Sequence, residues 1–248
     1  QELFGGQDPT QSRGMEVEDG LSVLMDFFNY FTAVVEDRKQ NPTDDLASLL
    51  ANAVVDGEPM AVLDQISYFI ITATAGHDTT SATIAGGMKA LLEHPGQLAR
   101  LRANPELAVS AAREMIRWVS PVRHMLRTTT KDIELRGKRI RAGENLCLWY
   151  PAANRDNDAI SDPDTFDIER DNRGQLAFGY GGHMCLGQHL AVLEVATFFR
   201  ELLPRLADIE LAGQPEGVQA VFVGGLKSMP VRYRFKTAPD AVPASQKS

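Results

Sequence analysis

The stretch Phe178-Gly179-Tyr180-Gly181-Gly182-His183-Met184-Cys185-Leu186-Gly187 decides how this chain is read. Gly179, Gly181 and Gly182 fall within four residues, so the backbone can turn tightly there and lie close to something flat. The apolar run that follows, from about Leu186 to Leu206, reads as a helix. Cys185 therefore stands at a helix N-terminus. Unpaired amide N–H groups and the positive end of the helix dipole favour an anion at such a position, and so favour a thiolate. Gly187 leaves the first turn open to a ring. Two other readings compete. A zinc site could be drawn from His183, Cys185 and His189, but structural zinc sites use paired cysteine spacings that this chain lacks. A plain buried cysteine is the default for a lone thiol, yet it leaves the glycine spacing unexplained.

Outward from this loop, the chain reads as mainly helical with small β-sheets. Residues 1–15 are rich in breakers and read as a loop. Leu21, Leu24, Met25, Phe28, Phe31, Val34 and Val35 recur at three and four, which predicts an amphipathic helix over 16–38. A short helix follows over 44–52. A long helical pattern then runs from after Pro59 to about Glu93, stopped by Pro95. Pro105 opens a helix that ends at Ser120-Pro121. Short strands are expected between Arg127 and Tyr150, irregular chain over 151–177, and strands in the tail as far as Arg234. Residues 237–248 read as a disordered tail, and residues 1–236 as one domain.

Composition narrows the function. The formal net charge is -8 and no long Lys/Arg block appears, which argues against a nucleic-acid partner. Two cysteines make no disulfide framework and fit a reducing compartment. Cys147, in the apolar run Asn145–Tyr150, reads as a buried strand thiol. The longest apolar run, Ile66 to Ala75, is too short and too interrupted to span a bilayer.

Three further motifs matter. Ala75-Gly76-His77-Asp78-Thr79-Thr80 sits inside the long helix, where Gly and Thr are disfavoured and Thr hydroxyls bond back to carbonyls four residues earlier. Its bland reading is a helix–helix contact through small residues. A carboxylate beside a hydroxyl also suits proton delivery in a buried site. Glu114 and Arg117 place opposite charges three apart on one helix face, which alone is usually a solvated surface pair. Arg127 opens the strand region.

Together these motifs resemble the cytochrome P-450 monooxygenases. Phe-x-x-Gly-x-x-x-Cys-x-Gly, with His two before the cysteine, is similar to that family's haem loop, and thiolate ligation there is a known case. Within the family, AGHDTTSATIAGG, YPAANRD, GHMCLGQHLAVLE and FVGGLKSMPV resemble the bacterial α-terpineol-hydroxylating branch. The resemblance implies the all-α P-450 fold with its N-terminal part missing. It implies haem b with Cys185 as the iron ligand. Phe178 would pack beside the iron–sulfur bond, and Gly181 and Gly187 would shape the loop. His183, Arg127 and His124 would contact propionates. Ala75 and Gly76 would form the oxygen groove, and Asp78 and Thr79 the acid–alcohol pair. Glu114 and Arg117 become a structural pair. Their usual third partner is an arginine, but Thr165 stands where many relatives have it, and Arg155 is left as an unassigned substitute.

The same resemblance implies a small hydrophobic, terpenoid-type substrate near Thr72, Val122, Phe222 and Val223, with O2 as co-substrate. Electrons would come ultimately from NAD(P)H through a ferredoxin-type donor. A monomer in the cytoplasm, with no membrane and no nucleic-acid partner, completes the expectation. Relatives carry further helices before the point where this sequence starts. If these residues were the whole polypeptide, it would hold haem poorly. A haem sensor without catalysis and an inactive truncated product are the competing functions. The Asp78-Thr79 pair speaks against the sensor, which needs no proton relay.

Overall fold

A computed structural model describes residues 17–237, which fall into two compact units. The expected loop over 1–15 and all but the first residue of the expected disordered tail lie outside the described residues.

In the first unit, α1 (Val17–Gln40) and α2 (Leu46–Ala51) precede a hairpin of β1 (Val54–Val55) and β2 (Glu58–Pro59). Asp56 and Gly57 both have positive φ, as a two-residue hairpin turn requires. The unit ends in the first half of α3 (Val62–Glu93). Its core gathers Phe31, Val35, Ala51, Ile66 and Phe69, with the rings of Phe31 and Phe69 stacked 5.4 Å apart. Asp45 caps α2, accepting from the Ser48 N–H at 2.7 Å. That bond, with help from Thr43, Ser48 and Arg38, holds the Asp45 carboxyl well below the usual carboxylate range.

The second unit takes over at Thr79. It holds the rest of α3, then α4 (Pro95–Ala103), a 3-10 turn (Pro105–Leu107) and α5 (Ala108–Val119). The helix expected from Pro105 thus begins as a 3-10 turn. α4 is an addition to the expected elements: Pro95 ends α3 and also starts the next helix, at a position where its missing N–H costs nothing. β3 (His124–Thr128) pairs antiparallel with β6 (Asn145–Trp149), and β4 (Ile133–Leu135) with β5 (Lys138–Ile140). A single turn of helix, α6 (Tyr150–Ala153), leads into irregular chain. α7 (Gln188–Leu202) follows the cysteine loop. β7 (Leu206–Leu211) pairs with β10 (Val231–Phe235), and β8 (Glu216–Gly217) with β9 (Leu226–Ser228).

The core of this unit joins α3, α4, α5 and α7 through Met88, Leu91, Leu101, Met115, Val195 and Phe199, with Phe166 and Ile168 from the irregular stretch. Gly86 and Gly87 let α3 and α5 approach. A Cβ at Gly86 would fall 2.6 Å from Val119 Cγ2, and one at Gly87 2.7 Å from Met115 Sδ.

Cys147 departs from the sequence reading: its thiol is exposed, not buried. It lies on β6 opposite Leu126, and Leu126, Leu148 and Trp149 are exposed as well. A short apolar strand run buries its thiol only when a second layer covers it, and among the described residues none covers this one.

Candidate functional site

The loop leading to α7 is built on local backbone bonds. The Gly179 N–H donates to Leu176 O, the Met184 N–H to Gly181 O at 3.0 Å, and the Cys185 N–H to Phe178 O at 2.9 Å. Gly179 and Gly181 both take positive φ, so glycine suits the path of the chain at these two positions. Cys185 forms no disulfide, is exposed, and precedes the first residue of α7 by three. Cβ atoms added at Gly181, Gly182 or Gly187 would meet nothing within 4 Å. The side chains around the thiol are apolar and exposed: Tyr180 at 83 %, Leu186 at 91 %, and Met184. Among the described residues no three His, Cys, Asp or Glu side chains cluster to hold a metal ion, so His183, Cys185 and His189 are not brought together as the zinc alternative needs.

His124 and Arg127 lie on β3, their side chains half-buried. The His124 ring stacks on Trp149 and meets Phe222 edge-on, centroids 5.6 and 5.9 Å away. Its Nδ1 is buried and finds no hydrogen-bond partner among the described residues. Arg127 Nη1 donates to the neighbouring Leu126 carbonyl, at 2.8 Å. His183, in a 3-10 turn, is exposed.

Val122 and Val223 form an antiparallel bridge, and the Arg123 N–H donates to Phe222 O at 2.9 Å. Three of the four expected substrate residues are thus brought together. Thr72 lies in the first unit, on α3, where its hydroxyl donates to Tyr68 O at 2.7 Å. Ala75 and Gly76 also sit on α3 and are exposed. Asp78 is mostly covered, with His77 Nε2 3.9 Å from its Oδ1. The Thr79 carbonyl accepts from the buried Thr83 hydroxyl at 2.8 Å.

The Glu114–Arg117 pair is wholly buried. Arg117 Nε and Nη2 each donate to a Glu114 carboxylate oxygen at 2.8 Å, and Arg117 Nη1 donates to the Asn154 and Pro163 carbonyls. The third partner is Arg170, whose Nε reaches Glu114 Oε1 at 3.4 Å. Arg170 also donates to the carbonyls of Ser161, Asp162 and Thr165. Arg155 lies beside this cluster without bonding Glu114: its Nη1 donates to the Pro163 carbonyl at 3.3 Å, the same oxygen that accepts from Arg117. Its guanidinium lies 3.8 Å over the Trp118 ring, and burial and then Arg117 lower its affinity for the proton. Arg170 carries no periodicity signal. Only its position in the irregular stretch before the haem-like loop, five residues after Thr165, could have marked it.

The family model for cytochrome P450 matches residues 16–207. The chain belongs to the cytochrome P450 family. It is 43 % identical over 225 residues to cytochrome P450-terp of a Pseudomonas species, covering 91 % of this chain and 53 % of that one. Against linalool 8-monooxygenase of Pseudomonas putida the identity is 37 % over 228 residues, covering 92 % and 56 %. Among solved structures, CYP108D1 from Novosphingobium aromaticivorans matches with a TM-score of 0.83 at 47 % identity, covering 87 % of this chain and 52 % of that one. Mycobacterium marinum CYP268A2, solved in complex with pseudoionone, matches with a TM-score of 0.86 at 38 % identity, covering 92 % and 56 %. The chain spans about half the length of the curated relatives it matches. No described helix is long and apolar enough to cross a membrane.

Proposed function

We propose that this polypeptide supplies the haem-binding half of a monooxygenase that places one oxygen atom of O2 into a C–H bond of a small hydrophobic substrate. The observation that carries this reading is Cys185: a free, exposed thiol in a glycine loop whose missing Cβ atoms leave room for a flat ligand. The residues present fit haem b. Cys185 would give the thiolate, and the exposed Leu186 and Tyr180 an apolar bed. The orphaned His124 Nδ1, with Arg127 and His183, would receive propionate carboxylates. Phe178 would flank the sulfur. When bound, haem supplies the oxygen-activating redox chemistry, and thiolate ligation favours O–O cleavage.

The chain's own residues do the rest. Asp78 and Thr79 offer an acid and an alcohol side by side on α3 for proton delivery, with Ala75 and Gly76 one turn earlier shaping the oxygen groove. Val122, Phe222 and Val223, brought together in the second unit, would orient an apolar substrate, and Thr72 is a separate candidate contact on α3. Glu114, Arg117 and Arg170 keep the core behind the loop rigid. Terpenoids are the substrate class we favour, because relatives at this level of identity include a linalool 8-monooxygenase and a structure holding pseudoionone. The electron donor is a ferredoxin-type protein drawing on NAD(P)H, and the enzyme acts as a cytoplasmic monomer. Spectral titration of the haem-loaded protein with a terpenoid panel tests the substrate, and a panel-wide absence of spectral change would refute it. Thr79→Ala should uncouple electron consumption from product formation; unchanged coupling would remove Thr79 from the proton path.

A further inference from the structure

We infer that Asn154 is a positioning residue for the cysteine loop. Through it the buried charge cluster at Glu114 is fastened to the chain that ends in Cys185. Asn154 has no exposed surface, and every polar group it owns is engaged. Its N–H donates to Tyr150 O at 2.9 Å, and its carbonyl accepts from Arg117 Nη1 at 2.8 Å. Its side-chain Nδ2 donates to Ser120 Oγ at 2.8 Å, and that hydroxyl donates in turn to Arg117 O. Its Oδ1 accepts the Leu176 N–H at 2.7 Å. Leu176 O then takes the Gly179 N–H, and two residues after Leu176 the Phe178 carbonyl takes the Cys185 N–H. A continuous run of hydrogen bonds therefore leads from Glu114 through Arg117 and Asn154 to the first turn of the loop.

A second contact from the same short helix points the same way. Tyr150, the first residue of α6, is buried, and its hydroxyl lies 3.3 Å from where a Cβ at Gly179 would be. So α6, only one turn long, meets the loop at both its ends: the side-chain amide of its C-cap Asn154 bonds Leu176, and the hydroxyl of its first residue, Tyr150, lies beside Gly179. A helix of this length has no stability of its own. Its place is set by Arg117 gripping the Asn154 carbonyl. An amide is the side chain this position needs, since one face must donate to Ser120 while the other accepts from Leu176. A carboxylate keeps the oxygen that accepts from Leu176 and loses only the donor to Ser120, whereas an apolar isostere loses both.

This inference rests on the haem-thiolate reading for its functional meaning, so its test has one arm that needs no haem. Hydrogen exchange on the 248-residue chain should show the Leu176 and Cys185 amides exchanging about 5- to 100-fold faster in Asn154→Leu, the span that loss of one buried bond implies. Exchange in β7 and β10 should be unchanged. Asn154→Asp, which keeps an oxygen facing Leu176, should retain most of the protection. In haem-loaded protein, Asn154→Leu should move part of the ferrous-CO Soret band away from its thiolate position, and Asn154→Asp should largely restore it. Unchanged exchange at Leu176 in Asn154→Leu, or acceleration spread equally over β7 and β10, would overturn the proposal. If the exchange pattern appears but no haem protein shows a thiolate band, the positioning role stands and the haem reading fails.

Discussion

Replacing Glu114 by glutamine tests how the second unit is held together. The change keeps the shape and removes the charge. Glu114 is wholly buried and accepts two bonds from Arg117 at 2.8 Å, one from the Asp167 N–H at 3.0 Å and one from Arg170 at 3.4 Å. The glutamine would leave two guanidinium groups without a counter-charge, and its own NH2 would face donors. Breaking a buried pair by removing one partner costs about 3–5 kcal/mol. A domain's whole stability is about 5–15 kcal/mol, so at least about a fifth of it is at stake. With a urea slope of about 2 kcal/mol/M, the unfolding midpoint should fall by roughly 2 M. Circular dichroism at increasing urea measures this. A shift below about 0.5 M, equivalent to about 1 kcal/mol at that slope, would refute the reasoning, because it would place the cluster in the range of exposed ion pairs.

Gly87→Ala should destabilise by about 1–3 kcal/mol in spite of the helix propensity it gains, since the new methyl meets Met115 Sδ at 2.7 Å. Gly96→Ala, in α4 with nothing within 4 Å, should instead raise the thermal midpoint, and opposite signs in one melting experiment check both. Asp45 has a carboxyl held below its ordinary value, so its contribution is present above about pH 4 and is lost only as pH falls well below that. Asp45→Ala should therefore lower stability at neutral pH and flatten the acid limb of the stability–pH curve, as pH-dependent urea melts would show.

The cysteine loop was legible in the sequence because its constraint is local. Gly179 and Gly181 take positive φ, a backbone conformation that glycine adopts without steric cost and most side chains resist. The α1 and α3 helices were legible through their apolar spacing, and their bounds differ from expectation by only a few residues. What escaped was non-local or ambiguous. Pro95 ends one helix and starts another, and sequence alone showed only the ending. Arg170 meets Glu114 across 56 residues of chain, and no period connects them. Asn154 looked like one polar residue among many in an irregular stretch. Its value lies in bonds to Ser120, Arg117 and Leu176 that only the fold brings together. The exposure of Cys147 was hidden because an apolar strand does not say whether a second layer covers it.

The central claim is that the Cys185 thiolate holds the haem iron, and the ferrous-CO spectrum of the haem-loaded protein tests it most directly. Wild-type protein should give the red-shifted Soret band that thiolate ligation produces, and Cys185→Ser should lose that band while Cys147→Ser keeps it. A wild-type spectrum without the shifted band, or one that survives Cys185→Ser, would contradict it.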